Sequence, residues 1–313
     1  MSQRSVIVTG GCGFVGRQAI PLLVDRGFDV HVFGRAYAPA SVAELNERYG
    51  DRVVCHAVDL HDSDRVDPLV RTIKATHLLH LAWDTRHGIF WSSSDNLDWI
   101  VSSKLLLNAF IEAGGSRVVG AGTCAEYDWE GDDAALVEGS SRLQPATLYG
   151  QSKLAFRKSL FTVAEHHKVS AAWGRIFFLF GPYEGTQRLV SSACISLLKG
   201  LPFAASIGDQ VRDFADVEDV AAGFVALLDS SVTGDVNIAS GEPRSVASVL
   251  ATIGSITGRA DLIQLGAKPK VPHDPPRIVA SVRRLRDEVR VLFPHTLDER
   301  LAQTLEWWRE HLP

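Results

Sequence analysis

The stretch Thr9-Gly10-Gly11-Cys12-Gly13-Phe14-Val15-Gly16 decides the fold of this chain. It follows an apolar run at residues 5–8 and opens a segment with helical spacing, which is the order of a strand, a tight turn and a helix. Its three spaced glycines allow that turn, let the main chain approach a pyrophosphate, and let the helix pack closely on the strand. We therefore predict that a dinucleotide is held at the N-terminus of this helix by Gly10, Gly13, Phe14, Val15 and Gly16.

Outward from this loop, short β-branched runs alternate with longer amphipathic segments along most of the chain. The alternation is typical of repeated βαβ units and predicts an α/β fold, a Rossmann-type doubly wound parallel sheet. The predicted strands cover residues 5–9, 30–33, 53–57, 77–81, 118–121, 170–177 and 236–238. The clearest helices begin at residue 13 or cover residues 95–113, 148–166 and 297–311.

The alternation breaks down after Gly181-Pro182, where loops, short helices and a proline-rich passage at residues 268–276 follow. We expect residues 1–180, with 209–240 returning to the sheet, to form the dinucleotide-binding domain. Residues 181–208 and 241–313 are expected to form a smaller C-terminal α/β lobe that binds the substrate.

Composition excludes several classes of protein. Lysine and arginine total 32 against 37 aspartate and glutamate, a net charge of -5, and no basic run offers a track for nucleic acid. The four cysteines lack the spacing of metal ligands or of a disulfide framework, so we expect no metal site and a cytoplasmic location. No apolar stretch reaches membrane-spanning length and no leader precedes the first strand, so we expect no membrane partner.

The residue after the second predicted strand bears on which dinucleotide is bound. A carboxylate there accepts from the ribose 2′-hydroxyl of NAD, but this sequence has Gly34 and Arg35. A guanidinium binds a 2′-phosphate with charge-assisted hydrogen bonds, so Arg35 favours NADP and leaves NAD possible. The residues that follow the third and fourth strands are expected to line the same groove, namely Asp59, Leu60, Leu81 and Ala82.

A tyrosine and a lysine four residues apart, Tyr149 and Lys153, share one face of a predicted helix. Because a nearby ammonium favours a phenolate, we expect Lys153 to lower the pKa of Tyr149 towards neutrality. Thr123 follows the fifth strand and is placed to hydrogen-bond the same substrate oxygen. We predict that Tyr149 protonates a reduced carbonyl, Thr123 stabilises its oxygen, and Lys153 also holds the nicotinamide ribose.

Together these motifs resemble the extended short-chain dehydrogenase/reductase family, also known as the NAD-dependent epimerase/dehydratase family, which contains nucleotide-sugar epimerases, dehydratases and reductases. The resemblance covers nearly the whole chain and extends to Gly181-Pro182 and the run Arg212-Asp213-Phe214. It implies a nucleotide-sugar substrate whose diphosphate is contacted by Arg212 and Arg277, both suited to bidentate phosphate recognition.

Other side chains are candidates for contacts to the sugar. Trp83 and Arg86 follow the fourth strand, at the sheet edge where ligand crevices form. Cys124 follows Thr123 directly, and Glu126 is placed to meet either a sugar hydroxyl or a surface cation. Phe178 stands where the family often has a polar substrate contact, which implies that this chain binds its substrate differently in detail.

Departures from the family pattern narrow the reaction. Dehydratases of the family have Asp and Glu after the catalytic threonine, where this chain has Cys124 and Ala125. Enzymes that epimerise before reducing have a cysteine two residues after the catalytic serine and a histidine after Gly-Pro, where Ala125 and Tyr183 stand. With Arg35 favouring NADP, we expect NADPH-dependent reduction of the C4 keto group of a nucleotide-linked 4-keto-6-deoxyhexose.

Two alternatives stay open. A nucleotide-sugar 4-epimerase with tightly held NAD needs the same Tyr149, Lys153 and Thr123. A dinucleotide-sensing protein binds the cofactor without turnover, although the presence of the Tyr149 and Lys153 pair argues against it. The helices near residues 95–113 and 148–166 are expected to pair across a homodimer interface.

Overall fold

The structure is a computed structural model that describes residues 4–35, 45, 47–130, 135–272 and 274–313. Its described strands are β1 Ser5–Thr9, β2 Asp29–Gly34, β3 Val53–Ala57, β4 His77–His80, β5 Arg117–Thr123, β6 Ser170–Ile176, β7 Phe178–Phe180, β8 Phe203–Ala204, β9 Val211–Asp216, β10 Gly234–Ile238, β11 Pro243–Ser245, β12 Ile263–Gln264 and β13 Arg277–Ile278. Its described helices are α1 Phe14–Asp25, α2 Ser63–Ile73, α3 Asp95–Glu112, α4 Leu148–His167, α5 Leu189–Leu198, α6 Val217–Asp229, α7 Val246–Thr257 and α8 Leu297–Glu310.

Seven of these strands form the central sheet in the order β10-β6-β5-β4-β1-β2-β3. Every neighbouring pair in it is parallel. The strand order reverses between β1 and β4, which is the switch point where ligands bind in doubly wound sheets. The predicted Rossmann-type fold is therefore confirmed.

The sequence of β1 explains how the sheet is held between helices. Val6, Ile7 and Val8 are all fully buried, as expected for a parallel strand with both faces covered. Val6 and Val8 pack in the core that includes residues of α1 and α6, whereas Ile7 packs in a second core with residues of α2, α3 and α4. The sheet edge that carries the carboxyl ends of the strands is thus supported from both sides.

The smaller sheets lie in the C-terminal part of the chain. β9 pairs with β11, β13 and β7, and β8 pairs with β12. We expected residues 209–240 to return to the large sheet, but β9 does not, because both of its edges are taken by strands of the smaller sheet. Within residues 209–240, β10 joins the large sheet and α6 packs against it. A third core joins α5, α7 and α8 beside the smaller sheet.

Two searches of the described residues bear on partners and metals. No helix in this part of the chain is both long enough and apolar enough to cross a bilayer. Likewise, the described residues contain no group of three or more His, Cys, Asp or Glu side chains arranged to hold a metal ion. All four cysteines are free thiols.

Candidate active site

The glycine loop between β1 and α1 is shaped to lie against a ligand. Gly10 has a φ of +68°, and a Cβ at this position would lie 2.9 Å from Ala82 N. A Cβ at Gly16 would lie 2.2 Å from Gly10 O, so the helix can approach the loop only with glycine there. Gly13, the N-cap of α1, has no side chain to cap the helix, which leaves N–H groups available for a phosphate. The loop therefore fits a dinucleotide.

The other residues predicted to bind the cofactor differ in how they are placed: some are fixed against β1, and others are exposed or buried. Leu81 N and Ala82 N donate to Thr9 O and Thr9 Oγ1 at 3.3 and 3.2 Å, which fixes the end of β4 against β1. Arg35 is exposed just after β2, and Asp59 is half-buried after β3. The side chain of Leu60 is buried in the core, so only its main chain remains available to a cofactor.

Helix α4 holds Tyr149 at the centre of the site. Thr147 caps the helix by accepting from Gly150 N at 3.1 Å, and Gly150 lies so close to the turn after β5 that a Cβ would be 2.3 Å from Ala125 O. The phenol ring is buried and is packed edge-on by Phe90 and Trp91, with ring centroids 4.9 and 5.8 Å away. Aromatic side chains thus enclose the predicted proton donor.

The electrostatics of Tyr149 differ from the sequence prediction. Burial raises its pKa above the usual value, and a hydrogen bond with Thr123 and the charge of Arg188 only partly oppose this. The ammonium of Lys153 is directed elsewhere, since it donates to Ala121 O at 2.9 Å. The prediction that Lys153 lowers the pKa of Tyr149 towards neutrality is therefore wrong.

Lys153 is itself the more strongly perturbed group. It is buried, and burial lowers the pKa of its ammonium to about 7, while the charge of Glu126 acts in the opposite direction. A lysine with this pKa changes its charge near neutral pH. The protonation state of Lys153 therefore depends on its burial and on the charges near it.

Thr123 ends β5 and begins a 3-10 turn, Cys124–Glu126. Its Oγ1 accepts from Ala125 N at 3.2 Å, and Glu126 reaches back to accept from Thr123 N at 3.0 Å, which completes a capping box. Glu126 is fully buried and also accepts from Arg175 Nε at 2.8 Å. The prediction that Glu126 meets a sugar hydroxyl or a surface cation is wrong, because its carboxylate is taken up by these buried donors.

Four of the residues predicted to bind the substrate lie together, namely Cys124, Phe178, Arg212 and Arg277. Trp83 and Arg86 lie apart from them. Arg212 on β9 lies 5.3 Å from the centroid of the Phe178 ring, and its charge acts on the buried thiol of Cys124. Arg277 lies on β13, the strand that pairs with β9 beside Arg212, and its buried Nε has no hydrogen-bond partner within the described part of the chain. Arg212 itself donates to Asp274 at 2.5 Å. The two arginines predicted to contact a diphosphate are thus neighbours.

Trp83 and Arg86 lie apart from that group. Trp83 donates its indole N–H to Asn96 Oδ1 at 2.8 Å and stacks on Trp99, so it forms part of the wall beside Lys153. Arg86 is exposed and pairs with Asp84 at 2.6 Å and with Asp95 at 3.2 Å. Nothing in these contacts directs Arg86 into the site.

Sequence reasoning missed several residues around Tyr149. Arg188, the N-cap of α5, donates to Thr85 O at 2.8 Å and lies 5.4 Å from the centroid of the Phe90 ring. Phe90 and Trp91 were not singled out, although the density of aromatic residues between β4 and α3 was visible. Arg188 carried no such signal, because its closeness to Tyr149 depends on tertiary contacts between distant segments.

Comparisons with known proteins add to this geometry. The family model described as the NAD dependent epimerase/dehydratase family matches residues 6–239. A UDP-glucose 4-epimerase of Azospirillum brasilense is 26% identical over an alignment of 336 positions. The alignment covers 97% of this chain and 92% of that protein. The match therefore extends over almost the full length of both chains.

Two further relatives differ in their activity and in what they hold. The dTDP-6-deoxy-L-talose 4-dehydrogenase (NAD(+)) of Aggregatibacter actinomycetemcomitans is 25% identical over 250 residues, covering 77% of this chain and 86% of that protein. The crystal structure of the Thermus thermophilus UDP-glucose 4-epimerase in complex with NAD superposes with a TM-score of 0.82 at 25% identity. It covers 97% of this chain and 99% of that one.

Proposed function

The chain belongs to the NAD-dependent epimerase/dehydratase family, and we propose that it is a nucleotide-sugar 4-epimerase that retains NAD during turnover. The observation that carries this proposal is the buried Tyr149, which is hydrogen-bonded to Thr123. Helix α4, which holds Tyr149, also carries Lys153. The nearly full-length likeness to a UDP-glucose 4-epimerase supports epimerisation over the reduction that the sequence alone favoured. The likeness to an epimerase in complex with NAD supports NAD over NADP.

The residues fit a bound dinucleotide. The cradle at Gly10 and Gly16 would receive the pyrophosphate at the start of α1, and Lys153 would donate to the nicotinamide ribose. Bound NAD supplies the acceptor for a hydride from C4 of the sugar. The loop and the catalytic helix lie at the same carboxyl edge of the sheet, at its switch point.

The protein's own part in the reaction is to move one proton. When C4 is oxidised, Tyr149 acts as the base, and the positive charge of bound NAD would favour its phenolate over the neutral phenol of the cofactor-free protein. The phenolate takes the proton of the C4 hydroxyl, and Thr123 hydrogen-bonds the resulting carbonyl oxygen. When C4 is reduced from the other face of the sugar, Tyr149 returns that proton to the oxygen. Over a full cycle no proton or hydride is gained or lost.

The smaller lobe is the proposed substrate site. We assign nucleotide binding to residues 181–208 and 241–313 together with β9, because Arg212 and Arg277 lie on paired strands there. Arg277 Nε, which finds no partner among the residues that the structure describes, leaves a donor for a diphosphate oxygen. Phe178, stacked near Arg212, supplies an apolar wall where the family often has a polar contact.

A second candidate function is reduction of a 4-keto nucleotide sugar with NADPH. The observation in its favour is Arg35, exposed after β2 where NAD-binding proteins usually have a carboxylate. The likeness to a 4-dehydrogenase of a 6-deoxy sugar points the same way. Both candidates use Tyr149, Thr123 and Lys153 in the same roles, so the identity and retention of the cofactor separate them.

We also propose that the chain forms a homodimer through α3 and α4. Leu97, Val101 and Leu105 are exposed apolar residues four positions apart on α3, which packs along α4 within the chain. Light scattering of a Val101→Glu/Leu105→Glu double variant should show a monomer where the wild-type protein is a dimer. A Leu292→Glu variant, changed at another exposed site, should keep the wild-type mass.

The experiment that tests the proposed function begins with the protein as purified. Its bound dinucleotide is extracted and identified, and the protein is then incubated with UDP-glucose or UDP-galactose without added cofactor. We expect bound NAD and interconversion of the two sugars. If the sugars do not interconvert, while NADPH is consumed with a 4-keto-6-deoxy nucleotide sugar, the second candidate takes the place of the first.

A further inference from the structure

The carboxylate of Glu126 is fully buried in the turn that follows Thr123, so it presents no surface to a ligand. We propose that Glu126 is a positioning residue that fixes the main chain of Thr123 and supplies the buried negative charge that keeps Lys153 protonated. The inference rests on the roles given to Thr123 and Lys153 in the proposed function. It explains why a charged group stands in a fully buried turn next to the proton donor.

The contacts of Glu126 make it a rigid support. Its Oε1 accepts from Thr123 N at 3.0 Å and from Trp173 Nε1 at 2.9 Å, and its Oε2 accepts from Arg175 Nε at 2.8 Å. All of these partners are buried N–H donors, and charge-assisted bonds of this kind are the stronger hydrogen bonds of proteins. Thr123 is therefore held at a fixed position at the end of β5.

The same carboxylate is linked to Lys153 through two structural elements. Strand β5 carries both Ala121 O, which accepts from Lys153 Nζ at 2.9 Å, and Thr123 N, which donates to Glu126. The Trp173 ring, whose N–H also donates to Glu126, has its centroid 6.0 Å from Lys153 Nζ. A buried ammonium loses its charge unless an opposite charge or strong acceptors compensate its lost hydration.

The other groups near Lys153 do not supply that charge. His80 on β4 is neutral, because burial and the charge of Lys153 lower its pKa to about 3. Tyr149 on the same helix carries no charge in the cofactor-free protein, since burial raises its pKa. Arg175 on β6 is a cation, and it is balanced by Glu126 and by Asp235, 3.2 Å away. Glu126 is thus the carboxylate whose charge counters the effect of burial on the pKa of Lys153.

The test compares Glu126→Gln with Asp235→Asn as a matched control. Both changes remove one carboxylate from Arg175, but Asp235 makes no contact with Thr123 among its described hydrogen bonds. The titration of Lys153 is followed by NMR of the protein labelled with ¹³Cε-lysine, with a Lys153→Met variant for assignment. We expect Glu126→Gln to move the Lys153 titration to lower pH by about one unit, and Asp235→Asn to leave it in place.

The proposal is overturned if Lys153 titrates at the same pH in Glu126→Gln as in the wild-type protein, or if both variants shift it equally. Should Glu126→Gln not fold, a Glu126→Gln/Arg175→Met double variant replaces it, because removing both partners of a buried ion pair costs far less than removing one. A shift in the same direction, but a smaller one, is expected in the double variant, because the Arg175 cation is removed together with the carboxylate. This measurement does not depend on turnover, so it stands even if the proposed function fails.

A kinetic comparison separates positioning from a merely structural role. Because Glu126 contacts no substrate, Glu126→Gln should lower kcat between about 10-fold and 100-fold while leaving KM for the sugar nucleotide unchanged. The loss should grow as pH rises and Lys153 loses its proton. A loss of kcat that is the same at every pH, or one that Asp235→Asn reproduces, contradicts the proposed link to Lys153.

Discussion

The ammonium of Lys153 lies 4.0 Å from the centroid of the Trp83 ring. Trp83 cannot easily turn away, because its indole N–H donates to Asn96 Oδ1 and its ring stacks on Trp99. The lysine is therefore held between this ring and Ala121 O, at the carboxyl edge of the sheet. The ring of Trp83 and the ammonium of Lys153 are thus fixed side by side, and the ammonium is not paired with Tyr149.

Replacing Trp83 with leucine should weaken binding of the dinucleotide about tenfold, since a desolvated cation–π contact stabilises by about 1–2 kcal/mol. The variant would leave the ammonium of Lys153 without a fixed orientation towards the ribose. Calorimetric titration of NAD into the cofactor-free protein measures the effect. A Trp307→Leu control, changed on α8 where the ring stacks on His311, should bind as the wild-type protein does. Equal affinity in the Trp83→Leu protein contradicts this role for the ring.

Tyr149→Phe should lower turnover at least about 100-fold, because the phenolic proton is the one that the reaction moves. Its dinucleotide affinity should stay unchanged, since the ring and its contacts with Phe90 remain. Turnover and calorimetric binding are measured on the same preparation. Tyr183→Phe serves as the control, because this exposed residue contacts Arg17 through its ring and not through its hydroxyl. Wild-type turnover in Tyr149→Phe would contradict its role as proton donor, whereas dinucleotide binding without turnover in both proteins would favour a dinucleotide-sensing protein instead.

The fold and the cofactor loop followed from sequence because both depend on local patterns. The seven strands of the large sheet were all predicted, with a difference of no more than two residues at any end, and so was the turn at Gly10. Predictions about Tyr149 and Glu126 failed for a different reason. A pKa and an ion pair depend on burial and on partners such as Arg175 that lie far away in the chain. Spacing along a helix carries no information about either.

Gly122→Ala should destabilise the fold by about 1–3 kcal/mol, the usual effect of overpacking a filled core. A Cβ there would lie 2.1 Å from Trp173 Nε1 and 2.6 Å from Glu126 Oε1, so the network behind Thr123 must shift. Urea denaturation measures the free energy of unfolding. Gly185→Ala is the matched control, because its Cβ would meet no atom within 4 Å. Wild-type stability in the Gly122→Ala protein would show that this network is loosely packed.

Glu184→Gln should stabilise the protein in alkaline solution and not in acid. Burial raises the pKa of Glu184 from 4.5 to about 8, while Ser191 N, which donates to it, acts in the opposite direction. Because the folded pKa is the higher one, the stability it contributes is complete below pH 4.5 and is lost as pH rises towards 8.

Glutamine does not ionise, so the Glu184→Gln protein does not lose this stability as the pH rises. Thermal melting should give the Glu184→Gln protein and the wild-type protein equal Tm values near pH 4.5. Above pH 8, Glu184→Gln should melt higher by about 2 °C or more. Glu165→Gln, changed at an exposed position of α4, should follow the wild-type protein at every pH. A Tm difference that does not vary with pH would place the effect of Glu184 in packing rather than in its charge.

The most direct test of the proposed 4-epimerase is the fate of deuterium placed at C4 of UDP-galactose. Since the hydride leaves C4 and returns to the same sugar from the other face, the label should stay on that carbon. We predict that NMR and mass spectrometry will find UDP-glucose with deuterium at C4, formed without added cofactor. Absence of UDP-glucose, or its formation with the label lost from C4 or passed to added dinucleotide, would contradict the account.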